Sequence, residues 1–173
     1  MIEVMISMVI LTIGLLSLLG VFGMAMASTH SAQEDSVAKQ LAQDAIESIY
    51  TARDTSNLQW PQIENTGVAG GIFIPGLQPI NQAGLDAIIG TADDAVAGPQ
   101  FMILPGPDGV VGTADDVNLP LTNFRRSIVI ADILSGGATV ANLRRVTVTV
   151  QYSTPQFKLP KQYILSGYIS QYR

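Results

Sequence analysis

The sequence predicts an α+β fold, with a long N-terminal α-helix packed on a C-terminal antiparallel β-sheet and a loop-rich segment between them. Three observations predict it: an apolar run over residues 4–27, a helical stripe that carries the run on to about residue 54, and alternating strand patterns after Phe124. At 173 residues the chain has the size of one ordinary domain, and the part after residue 27 is long enough to bury a core.

The chain opens "MIEVMISMVILTIGLLSLLGVFGMAMA", in which Glu3 is the one formal charge. About 24 residues of this run, at roughly 1.5 Å each, make a helix of ~36 Å, enough to cross a bilayer core. Gly14, Gly20 and Gly23 are tolerated in membrane helices, and no proline precedes Pro61. In "SAQEDSVAKQLAQDAIESIYTAR", Val37, Leu41, Ala45 and Ile49 recur every four residues beside Ala38, Ala42 and Ile46. Glu34, Asp35, Lys39, Gln43, Asp44 and Glu47 take the other faces. One helix is therefore expected from about residue 2 to 54: residues 1–27 apolar all round, for lipid or a helical bundle, and residues 28–54 amphipathic, packed under a globular head of residues 55–173. Two plainer readings compete for the first part. Ala25-Met26-Ala27 resembles a signal-peptide cleavage site, although the run is long for one and no basic region precedes it. A simple membrane anchor accounts for the length but leaves Glu3 unexplained.

From Trp60 to about Pro120 the chain is rich in proline and glycine, with short apolar runs at "GIFIP" and "QFMILP". "RRSIVIADIL" reads as a buried strand. In "RRVTVTVQYS", Val146, Val148, Val150 and Tyr152 fall on one face and Thr147, Thr149 and Gln151 on the other. "SGGATVAN" between these two reads as a hairpin turn, and "KQYILSGYISQ" as a third strand beside them. A single sheet laid on the helical stripe would bury both apolar faces.

Charge is unevenly spread. The net charge is −5, which disfavours general nucleic-acid binding, and the absence of cysteine excludes thiol chemistry and disulfides. Between Asp54 and Phe124 there are eight acids and no base; from Arg125 to Arg173 there are seven bases and one acid, Asp132. Six of those eight acids lie in an internal repeat: "GLDAIIGTADDAV" at 84–96 returns as "GPDGVVGTADDVN" at 106–118, an offset of 22 residues. Each copy brings three aspartates and a threonine together: Asp86, Thr91, Asp93 and Asp94, then Asp108, Thr113, Asp115 and Asp116. Two readings stand side by side. Hard oxygen ligands on a flexible glycine-rich loop suit calcium, although the spacing is not that of an EF-hand. Asp side chains also cap ordinary β-turns. No phosphate loop, nucleophile motif or zinc spacing occurs, so no enzyme activity is expected. His30, the single histidine, marks the end of the apolar run, and Trp60 and the late tyrosines read as packing residues. Arg125-Arg126 and Arg144-Arg145 are expected to pair with acids of adjacent subunits, in preference to DNA or anionic surfaces.

The helix headed by "IEVMISMVILTIGLL", its amphipathic extension and the C-terminal sheet resemble the type IV pilin family, which includes minor pilins and the pseudopilins of type II secretion. The ending, with "RRVTVTVQYS" and "YILSGYIS", looks most like the V-type minor pilins and I-type minor pseudopilins. The resemblance implies a structural filament subunit whose partners are copies of itself or other pilin-like subunits, stacked with their N-terminal helices at the centre. It also implies a prepilin peptidase, N-methylation, an assembly platform, and passage from the inner membrane to a periplasmic or extracellular filament. It gives Glu3 the role of neutralising the N-terminal amine of a neighbouring subunit. A carboxylate in hydrocarbon must be neutral or paired, and a buried amine has the same need; Glu3 as a simple headgroup-zone residue at the positive helix end is the plainer reading. Met1 stands where the family has leucine, and the family's basic leader ending in glycine does not precede it; the expectation is that the natural start lies upstream or that the N-terminus is not fully represented. The family's helix proline is absent, which makes Gly14, Gly20 and Gly23 the places expected to loosen on assembly. Calcium in a loop of some family members is consistent with the repeat. A calcium-dependent adhesin or binding module on a membrane anchor is the alternative function.

Overall fold

A computed structural model describes residues 2–153 and 159–172. Two compact units divide the chain, Met1–Ser36 and Val37–Arg173. Helix α1, Ile2–Asp54, contributes its first part to one and its last part to the other.

In the first unit the helix is unbroken through Gly14, Gly20 and Gly23. Its hydroxyls do not compete with the apolar surroundings the sequence calls for. Ser7 donates to the Val4 carbonyl at 2.9 Å, Ser17 to Ile13 at 2.8 Å and Thr29 to Ala25 at 3.0 Å, so each polar side chain is satisfied by the turn before it. The helix is long and apolar enough to cross a membrane, and none of its most apolar stretch is buried within the chain. Such a helix anchors a chain in a membrane or directs its secretion.

In the second unit the expected stripe is the buried one: Ala38, Leu41, Ala42, Ala45, Ile46, Ile49 and Ala52 line the core. Four of these are alanines, and they share one core with the inward side chains of a sheet. That sheet has the order β1-β4-β5-β6, all antiparallel, from β1 (Gln78–Pro79), β4 (Phe124–Ser135), β5 (Ala138–Tyr152) and β6 (Lys161–Ser170). Val146, Val148 and Val150 are fully buried and Tyr152 nearly so, stacked on Phe124 at 5.5 Å between ring centres. The helix end is fastened to β6. Tyr50 Oη donates to the Tyr168 carbonyl at 3.2 Å and Arg53 to the Ser170 carbonyl at 3.0 Å. Gly167 leaves room there for the Tyr50 hydroxyl, which a Cβ would displace.

The hairpin turn is shorter than the sequence reading. Strand β5 begins at Ala138, so "ATVAN" belongs to the sheet and the turn is Gly136-Gly137, with Ser135 paired to Ala138. Both glycines have positive φ, 60° and 85°, as a two-residue turn matching strand twist demands. The loop-rich segment is nonetheless anchored, since Leu58, Ile63, Phe73, Ile80 and Ile88 reach into the core. Asn65 completes it by imitating a strand: its amide donates to the Ile128 carbonyl and accepts from the Ile130 N–H, both at 2.8 Å, closing part of the free edge of β4. Beyond lie α2 (Asp94–Ala97) and a two-stranded arm of β2 (Phe101–Leu104) and β3 (Val117–Pro120), which pair with each other.

Candidate assembly helix and acidic repeat

Glu3 sits in the first turn of α1, exposed, among equally exposed apolar side chains. Leu11, Leu16 and Phe22 each keep 60% or more of their surface. Leaving this much apolar area in water is unfavourable by roughly 25 cal/mol per Å², so the segment requires lipid or other helices around it. The carboxylate lies where the backbone N–H groups of a helix start are unpaired, which favours a negative charge.

The two repeat copies build the same hydrogen-bonded knot. In the first, Asp86 Oδ1 accepts the Ile88 N–H at 2.8 Å, and Asp93 bridges the Thr91 hydroxyl (2.5 Å) and the Asp86 N–H (3.3 Å). Asp94 accepts the Gly84 N–H at 3.0 Å and the Gly90 N–H at 2.7 Å. In the second, Asp108 accepts Val110 N–H at 2.9 Å, Asp115 bridges Thr113 Oγ1 (2.6 Å) and Asp108 N–H (3.4 Å), and Asp116 accepts Gly112 N–H at 2.6 Å. The repeated Gly84 and Gly106 have a steric cause: a Cβ at either would collide with the carboxylate of Asp93 or Asp115. The last aspartate distinguishes the copies: Asp116 Oδ2 also accepts the Thr113 N–H at 3.2 Å. Asp94 Oδ1 is closed by Gly84, whereas Asp116 Oδ1 is buried without a hydrogen-bond partner. Among the described residues, no group of three or more His, Cys, Asp or Glu is gathered closely enough to hold a metal ion.

Electrostatics follow these contacts. The Thr91 hydroxyl holds the Asp93 carboxyl below its ordinary range, and Thr113 does the same for Asp115. Burial pushes Asp94 up, against the pull of the Gly90 and Gly84 amides and of Arg126. Arg126 itself is almost wholly buried, and its pKa falls to about 10, offset in part by Asp94 and Asp44. It stays charged at neutral pH, between the helix and the first repeat, and donates to the Leu41 carbonyl at 3.4 Å.

One arginine of each pair therefore departs from the sequence reading, Arg126 and Arg144. Arg144 pairs within its own chain, with Glu64 at 2.8 Å and Asp132 at 3.2 Å. It also donates to the Trp60 and Ile63 carbonyls at 2.7 and 2.9 Å and lies 4.3 Å from the Trp60 ring centre. The physical reason is strand alternation. Arg126 shares the inward face of β4 with Phe124 and Ile128, and Arg144 the inward side of β5 with Val146, whereas Arg125 and Arg145 point out and are exposed. That signal was present in the sequence, since each doublet must split across the sheet.

Helix, sheet and loop order together form a pilin-like architecture. No protein-family model, curated protein or solved structure matches the chain.

Proposed function

We propose that this chain is a non-enzymatic structural subunit of a type IV pilus-like or pseudopilus filament. The observation that carries the reading is an apolar helical segment with its whole surface open and one carboxylate in its first turn, continuous with a helix that serves a folded head. Assembly replaces lipid around that segment with the helices of neighbouring copies. Glu3 then pairs with the N-terminal amine of a neighbour, so that neither charge is left alone in an apolar bundle. The proposal includes residence in the inner membrane before assembly, processing by a prepilin peptidase with N-methylation, and an assembly platform that delivers subunits to a periplasmic or extracellular filament.

Glu3→Gln keeps the side-chain shape and removes the charge. Filament yield per cell, measured against total subunit, should fall about tenfold or more while the membrane-held subunit remains abundant. Equal yield and equal abundance would remove Glu3 from assembly. The second reading, a calcium-dependent binding module on a membrane anchor, rests on Asp116 Oδ1, which is buried without a hydrogen-bond partner. It requires dispersed protein without filaments and a full-length chain that melts higher in calcium than in chelator.

A further inference from the structure

Arm and sheet complement each other in charge and in apolar surface. Met102 packs one side of the β2–β3 arm against the core, and beyond it the arm is open: Ile103 is half exposed on one side, Val117 and Leu119 about half exposed on the other, and Val110 and Val111 stand out at its tip. A lone two-stranded ribbon is marginal in water, and clustered exposed apolar side chains mark a contact surface. The tip carries Asp108, Asp115 and Asp116, with no base in sequence from Asp54 to Phe124 to balance them. The outward face of the sheet has the opposite character. Arg125 and Val129 on β4, Arg145 on β5, and Ile164 and Tyr168 on β6 are exposed there, with Tyr168 directly opposite Arg145. The other outward side chains of β4–β6, such as Thr147 and Gln162, are uncharged, so the face is cationic. Among the described residues, neither Arg125 nor Arg145 has an ion pair, and no hydrogen bond or strand pairing joins the arm to this face.

We infer that the arm of one copy docks on the outward sheet face of a second copy, with Asp115 approaching Arg145 and the Val110-Val111 tip covering Ile164 and Tyr168. The inference rests on the filament reading and adds to it the surfaces by which heads meet. Two different complementary patches on one molecule make a head-to-tail contact, the kind that propagates into an open helical array or closes into a ring.

The test places a photo-crosslinking amino acid at Val111 in the full-length chain. A tagged copy that carries it is co-expressed in cells with an untagged copy that lacks it, the cross-linked tagged–untagged dimer is isolated, and its cross-linked peptides are mapped by mass spectrometry. Links joining residue 111 of the tagged copy to residues 125–129 or 161–170 of the untagged copy are expected. Arg145→Glu or Asp115→Lys alone should lower their yield about threefold, and the double variant should restore it. A cooperative melting transition checks that each variant folds, with Asp115→Lys melting lower because it loses the bonds to Thr113 and the Asp108 N–H. Cross-links only to other proteins, only to lipid, elsewhere on the second copy, or none at all would overturn the inference. Filaments are scored separately by electron microscopy. Filaments without the expected cross-links sink the arm contact and leave the filament reading standing; the cross-links without filaments do the reverse.

Discussion

The two copies of the acidic repeat share a sequence pattern and a hydrogen-bonding pattern, yet they have different structural roles. In residues 84–96, Ile88, Thr91 and Asp94 are buried against the helix and β4, beside Arg126. In residues 106–118 the equivalent Val110, Thr113 and Asp116 lie on the exposed arm, and Val110 keeps 56% of its surface. A short loop with strong side-chain-to-backbone bonds thus forms its shape without help from its surroundings. Whether that shape supports a core is decided elsewhere.

The largest expected effect comes from the apolar residue of each copy. Ile88→Ala should destabilise the second unit by about 3 kcal/mol, since it removes a buried side chain and leaves a cavity. Val110→Ala should stay within about 0.5 kcal/mol. Chemical unfolding of the full-length protein in detergent checks both, and similar losses at the two sites would contradict the burial difference.

A smaller contrast is expected between the last aspartates. Asp94→Asn should cost about 1–2 kcal/mol, because one of two backbone amides loses its charged acceptor in a buried setting. Asp116→Asn should cost less than about 1 kcal/mol, since the amide oxygen can still accept from Gly112 and Thr113 while the nitrogen takes the place of the unpartnered Oδ1. The pH dependence separates the aspartates by sign. The folded pKa of Asp94 lies above its unfolded value of 3.8, so its contribution is full below 3.8 and is lost as pH rises through the folded value. Asp115 is lowered, so its contribution is present above 3.8 and is lost as pH falls through the folded value. Wild type should therefore lose ground to Asp94→Asn as pH rises, and gain ground on Asp115→Asn over the same rise. Parallel pH profiles for the two variants would show that burial does not separate them.

The smallest effect tests the likeness. Ala87 and Gly109 occupy the same repeat position and both have positive φ, 57° and 72°. Ala87→Gly should stabilise by about 1 kcal/mol and Gly109→Ala should destabilise by about as much, because a Cβ is strained in that region. Changes of the same sign would mean that the two turns differ in backbone shape.

Local patterns were legible in proportion to their periodicity. The four-residue spacing from Val37 to Ile49 located the buried stripe of α1, and the strict alternation after Arg145 located the inward face of β5. The repeat announced both knots through its aspartates and glycines. The hairpin turn is shorter than expected because Ala138 and Thr139 pair with Ser135 and Leu134 directly after Gly136-Gly137, and the register shift beyond them is a cross-strand feature with no local sign. Asn65 carried no local sign of its bonds to Ile128 and Ile130, more than sixty residues away.

By itself the sequence determined the length and apolarity of α1, the position of Glu3 in its first turn, the alternation of the three long strands and the twin turns of the repeat. Each of these is set by side chains within a few residues of one another. Only the tertiary structure decided which acids of its own chain lie near Arg126 and Arg144, and that one repeat copy supports the core while the other stands on an open arm. Those outcomes depend on which distant surfaces meet. The free energy of burying a group is fixed by its partners after folding, and no local pattern encodes them.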